Sequence, residues 1–171
     1  MNPHRILVTG RPGAGKTTLI RRASAELAHL HPVGFYTAEI REGGARKGFE
    51  LVDLGGRRGL LSHVDIRSRR RVGKYGVDIE GFERFLDMIR WREPRTGLIV
   101  IDEIGRMECF SERFRSLVLE ILDSGTPLLA TIARTGGGLI AEIKRRRDVE
   151  ILELTMSNRD RLIGDVVARL A

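Results

Sequence analysis

HRILVTGRPGAGKTTLIRRA, residues 4–23, decides how the rest of the chain is read. It opens as a short apolar and β-branched run and closes with Leu19 and Ala23 at helical spacing, continued by Leu27 and Leu30 before Pro32. Between these two segments GRPGAGKT, Gly10 to Thr17, fits the pattern G-x-x-x-x-G-K-[ST] without a mismatch. Glycines at this spacing let backbone N–H groups turn inward without Cβ clashes, and the helix start adds partial positive charge. Such a turn is a phosphate cradle. Its candidate contacts are Gly10, Arg11, Pro12, Gly13, Ala14, Gly15, Lys16 and Thr17. Lys16 is expected to bridge β- and γ-phosphates, and Thr17 to place its hydroxyl on Mg²⁺.

A second stretch, LIVIDEIGRME at 98–108, ends the apolar run Leu98-Ile99-Val100-Ile101 on two adjacent carboxylates. In nucleotide-binding α/β folds the strand beside such a loop ends in an aspartate that holds Mg²⁺, so Asp102 is a metal candidate with Thr17. Glu103, one position on, is placed to orient a water for in-line attack on a γ-phosphate and to accept its proton. Its alternative is a cap or salt bridge at a neighbouring helix. Glu108 either supports Mg²⁺ or Glu103 from behind, or favours the N-terminus of the next helix.

The remaining segments supply the frame. VGFYTAEI, KGFELVDL and RGLLSHVD are strand-like, and Gly43-Gly44 and Gly55-Gly56 are hairpin signals, which predicts an antiparallel meander. The arginine-heavy IRSRRRVGKYG reads as a loop. Thereafter a helix from Asp78 to about Arg92, the strand GLIVIDE, a helix at 110–123, the strand TPLLATIA, a helix at 137–147, the strand VEILELT and a helix at 158–170 alternate. That alternation predicts an α/β fold in three layers, a mainly parallel sheet covered on both faces and extended by the meander. One domain over residues 1–171 is expected.

The sequence is 42% hydrophobic and 31% charged, with a net charge of +7 carried mostly by arginine. That charge suits polyphosphate and leaves nucleic acid open as a partner. No apolar run is long enough for a bilayer and the N-terminus has no signal pattern, so a cytoplasmic protein without membrane contact is expected. A single cysteine, Cys109, excludes an internal disulfide and reads as a small, partly buried hydrophobe. Among the arginines, Arg134 follows TPLLATIA, a strand expected between the loop strand and the Asp102 strand, from where it would reach the γ-phosphate, with Thr131 as a polar sensor. Arg67, Arg69, Arg70 and Arg71 with Lys74 read either as a lid over the phosphates or as a solvated face. Lys144 to Arg147 suit a helix C-terminus. SNRDR at 157–161 reads as a base contact or as a helix cap from Ser157 with Asp160, and lacks the aspartate of a guanine reader.

GRPGAGKTT, GFYTAEIR, GFELVDL, VGKYGVD, DEIGRME and NRD together resemble the small nucleoside-triphosphatases first described from thermophiles, which have a human cancer-related member. The resemblance covers nearly the whole chain. It implies a RecA-like sandwich whose mixed sheet includes the meander. It also implies Mg²⁺-dependent hydrolysis of ATP, GTP, CTP and UTP to diphosphate and phosphate, with little base selectivity. Carried onto this chain, the nucleotide site takes in Thr18 and the segment Leu98, Ile99, Val100, Ile101, Asp102, Glu103, Ile104 and Gly105, with Tyr75 nearby. Lys16, Glu103 and Arg134 are then the catalytic candidates in a monomer. Two other readings stay open: a small nucleotide or metabolite kinase, and an NTP-dependent RNA-binding switch.

Overall fold

The computed structural model describes residues 4–171. The first apolar run forms β1 (Arg5–Gly10), and the loop after it leads into α1 (Lys16–Glu26). The meander follows as β2 (Pro32–Glu42), β3 (Ala45–Asp53) and β4 (Arg58–His63), then a small hairpin of β5 (Arg71–Val72) and β6 (Tyr75–Val77). The rest alternates: α2 (Ile79–Asp87), β7 (Leu98–Ile104), α3 (Glu112–Asp123), β8 (Leu128–Ile132), α4 (Gly138–Arg145), β9 (Glu150–Leu154) and α5 (Arg159–Leu170).

The nine strands of the described residues join one sheet in the order β5-β6-β4-β3-β2-β7-β8-β1-β9. The strands from β2 to β9 pair in parallel, and β3, β4, β6 and β5 extend the sheet in antiparallel fashion. As the sequence suggests, β8 lies between β1 and β7. This brings the C-terminal ends of β1, β7 and β8 side by side.

Successive residues of the central strands point to opposite faces, and both faces are buried. Ile6 and Val8 of β1 and Leu98 and Val100 of β7 pack with Leu19, Ile20 and Ala23 of α1 and with Leu162, Ile163 and Val166 of α5. Leu7, Ile99 and Ile101 face the other way, against Phe82 and Phe85 of α2, Phe114 and Val118 of α3 and Leu139 and Ile143 of α4. Hence three layers. Among the described residues no helix is long and apolar enough to cross a membrane.

Several boundaries differ from the sequence reading. The arginine-heavy segment is not all loop, since it turns at Gly73 into the β5–β6 hairpin. α2 starts with Asp78 accepting from the Gly81 N–H, as expected, but stops at Asp87 rather than near Arg92. The Trp91 indole N–H donates to the Leu86 carbonyl at 3.0 Å, which also accepts from the Ile89 N–H at 3.2 Å, so the helix ends in a tightened turn. α3 begins at Glu112, capped by Ser111 accepting from Phe114 N–H, and residues 108–110 form a separate 3₁₀ turn.

Candidate active site

The loop between β1 and α1 turns through Gly13 at φ +78° and Gly15 at φ +102°, left-handed conformations that glycine adopts without strain. Gly15 is the N-cap of α1 and makes no side-chain cap, so the first N–H groups of the helix stay available to an anion. Lys16 curls back over the loop, its Nζ donating to the carbonyls of Gly10 at 2.8 Å and Arg11 at 3.2 Å. Thr18 is exposed on the first turn.

Thr17 ties this loop to β7. Its hydroxyl donates to Asp102 Oδ2 at 2.6 Å, and the Thr131 hydroxyl of β8 donates to Oδ1 at 2.6 Å. The Thr37 backbone N–H of β2 adds a third donor. Asp102 is 2% exposed. Burial pushes its carboxyl above the usual range, and the Thr131, Thr17 and Thr37 donors with Lys16 oppose that rise. The peptide bond between Asp102 and Glu103 is cis. A hydroxyl and a carboxylate oxygen converging at a phosphate loop, beside an ammonium, are the hard-oxygen donor set that suits Mg²⁺.

Glu103 is partly buried next to this pair. Burial, and then the Asp102 charge, push its carboxyl up, while Lys16 pulls it down. Glu108 lies beside it and is 4% exposed, with Oε2 lacking a hydrogen-bond partner among the described residues. Burial and the Glu103 charge hold Glu108 well above the usual carboxylate range. Gly105 lets the two approach, because a Cβ there would stand 2.7 Å from Glu103 Oε1 and 2.9 Å from Glu108 Oε2.

Arg134, exposed at the end of β8, stands 4.0 Å from Glu153 Oε1 and lines two cavities. One, of about 390 Å³, runs along Arg11 to Ala14 and Glu153 to Met156. The other opens beside Glu103. Lys144 Nζ donates to the Arg134 carbonyl, so that lysine steadies the β8–α4 loop rather than only serving the α4 dipole.

Other sequence candidates fall elsewhere. Leu98, Ile99, Val100, Ile101 and Ile104 are core residues, and they serve the site by carrying the carboxylates to it. Tyr75 is buried against Phe49, which lines the cavity beside Glu103, and accepts a hydrogen bond from Arg46 Nε at 2.9 Å. Arg71 is spent on the Ile66 and Lys74 carbonyls, and Arg70 lies over the Phe110 ring. Ser157 does not cap α5. Asn158 is the N-cap, and its side chain closes the turn by accepting from Thr155 N–H and donating to the Glu153 carbonyl. Sequence reasoning missed the Thr37 N–H and the depth of Glu108, neither of which leaves a local signal.

A three-layer fold with a glycine-rich phosphate loop after its first strand, tied through Thr17 to an aspartate on a parallel strand of the same sheet one position removed, defines the P-loop NTPase class of α/β proteins. Within that class the chain belongs to the family described as NTPase, whose model matches residues 5–167. It is 42% identical over 167 residues to Nucleoside-triphosphatase THEP1 of Thermotoga sp. (strain RQ2), covering 97% of this chain and 95% of the relative. It is 43% identical over 178 residues to the Cancer-related nucleoside-triphosphatase of Homo sapiens, covering 95% and 94%. The crystal structure of THEP1 from the hyperthermophile Aquifex aeolicus superposes with a TM-score of 0.88 at 36% identity, over 97% of this chain and 98% of that one.

Proposed function

We propose that the chain, acting as a single unit and a monomer, hydrolyses nucleoside triphosphates to diphosphate and phosphate with little regard to the base. The observation that carries this is the Thr17–Asp102 bond, which fixes Glu103 one residue from the point where the phosphate loop and β7 meet. Thr17 and Asp102 would hold Mg²⁺, which when bound neutralises charge on the phosphate oxygens. Lys16 exchanges its loop carbonyls for β- and γ-phosphate oxygens, and the free N–H groups at the start of α1 receive the β-phosphate. Glu103 accepts a proton from a water whose oxygen attacks the γ-phosphorus. The bridging oxygen leaves with its electron pair on the diphosphate. A carboxylate pushed above its ordinary range is a better base for that proton at neutral pH. Arg134, exposed and 4.0 Å from Glu153, swings from that partner to the transferred phosphoryl group.

Weak base selectivity has its own support. The Asn158 side chain is committed to its own turn, and the one carboxylate lining the cavity along the loop, Glu153, stands 4.0 Å from Arg134, while Met156 is exposed there. The test is phosphate release and product identity from ATP, GTP, CTP and UTP with Mg²⁺, wild type against Glu103→Gln. All four triphosphates should yield diphosphate and phosphate. The variant should bind nucleotide yet turn over at least about 10²-fold more slowly. Release of phosphate only after a hydroxyl acceptor is supplied would replace this reading with a kinase.

A further inference from the structure

The cavity beside Glu103 has a volume of about 270 Å³. Among the described residues it shares only Arg134 with the cavity along the phosphate loop, and no residue of the loop itself lines it. Its roof is Phe49 and Leu61 of the meander with Val72 of the β5–β6 hairpin. Its inner end carries the Glu103 and Glu108 carboxylates, which flank Gly105 within 3 Å of where a Cβ would sit. Glu108 is 4% exposed, and its Oε2 has no hydrogen-bond partner among the described residues. A buried carboxylate oxygen without a donor is costly, and native proteins supply such atoms with a partner.

We propose that this cavity is a second binding site, for a small ring-bearing ammonium or amidinium compound whose charged end donates to Glu108 Oε2 and whose ring packs under Phe49, Leu61 and Val72. Size agrees, since an apolar cavity of roughly 150 Å³ accepts benzene, and the extra space here admits a short charged arm. Charge agrees at the buried end, where the Glu103 and Glu108 carboxyl groups lie side by side and a bound cation would let both ionise. The guanidiniums of Arg106 and Arg134 stand at the exposed rim, where water and salt screen their repulsion. Glu103 and Arg134 line this cavity and also serve the hydrolase site, but the phosphate loop, Thr17 and Asp102 do not, so its occupancy can be read without nucleotide.

Benzylamine is the probe, titrated into the whole chain without nucleotide while the methyl groups of Leu61 and Met107 are followed by NMR. Saturable shifts at both are expected, with benzyl alcohol at least about 10-fold weaker and benzoate weaker still. Glu108→Gln should weaken benzylamine by a similar factor. Val72→Trp, which fills the roof from an edge strand, should remove the shifts and leave affinity for ADP unchanged. The proposal is overturned if benzylamine gives no saturable shift, which would leave Glu108 satisfied by water alone. It is equally overturned if benzoate binds as well as benzylamine, or if Glu108→Gln retains full affinity. A failed hydrolysis assay leaves all these readings intact.

Discussion

The Cys109 thiol packs against the α2–α3 side of the core, where burial and the neighbouring Glu108 carboxylate push it up to about 12. At pH 8 that leaves about one thiolate in 10⁴, so iodoacetamide should label Cys109 in the native chain roughly 10³-fold more slowly than a free thiol, and unfolding in urea should restore the ordinary rate. Glu108 itself gives a pH signature. The groups facing it are Glu103 and Asp102, with Arg106 and Arg134 at the cavity rim. Its folded carboxyl lies above the ordinary 4.5, so over that interval the folded chain holds a proton that the unfolded chain has released. Stability contributed by Glu108 is therefore complete below the unfolded value and is lost as pH rises toward the folded one. Glu108→Gln should accordingly gain melting temperature over wild type as pH goes from about 5 to 8; a constant difference would mean an ordinary carboxylate. Asp102 and Thr17 could be read from sequence because strand ends and loop spacing are local patterns. The Thr131 and Thr37 donors to Asp102 depend on β8 and β2 flanking β7, and the burial of Glu108 depends on a turn folding beneath the meander.

At the level of elements, the meander is joined to the parallel sheet through the β2–β7 pair, which registers Gly34 against Val100. Gly34 has φ +148°, and a Cβ there would sit 1.8 Å from the Val100 carbonyl oxygen. Gly34→Ala therefore has to push the two strands apart at the seam that also positions Thr37 over Asp102. A loss of about 2–4 kcal/mol in urea unfolding is expected, a cost reserved for backbone strain of this kind. A loss under about 0.5 kcal/mol, the size of an ordinary surface change, would mean that the seam is slack. The long elements were legible because their periodicity runs over many residues. β5 and β6, two and three residues long, were not, since strands that short carry no alternation and are set by pairing, β6 with β4 and β5 with β6. α2 was read too long because Ile89 and Trp91 continue its apolar spacing, although they pack under the core from turns beyond the helix end.

At the level of the whole molecule, the sheet separates two buried clusters, and the same strands feed both: Val100 faces α1 and α5 while Ile99 and Ile101 face α3 and its neighbours. Neither cluster can lose its strands without stripping the other, and the meander adds its Phe35 to the second of them. Phe35 stands edge-on to Phe82, Phe85, Trp91 and Phe114, with ring centroids 5.9–6.5 Å away. Trp91 is the sole tryptophan, so its fluorescence reports that cluster alone, whereas far-UV circular dichroism reports helices on both faces. If the strands couple the layers as this packing requires, the two signals should trace one urea transition. Phe35→Ala should shift that transition by about 3–5 kcal/mol in both signals together, even though α1 and α5 never touch the ring. A fluorescence transition that moves while the dichroism of the remaining helices stays in place would show instead that the meander with α2 and α3 unfolds as its own unit, and the single-domain reading of residues 1–171 would have to be given up.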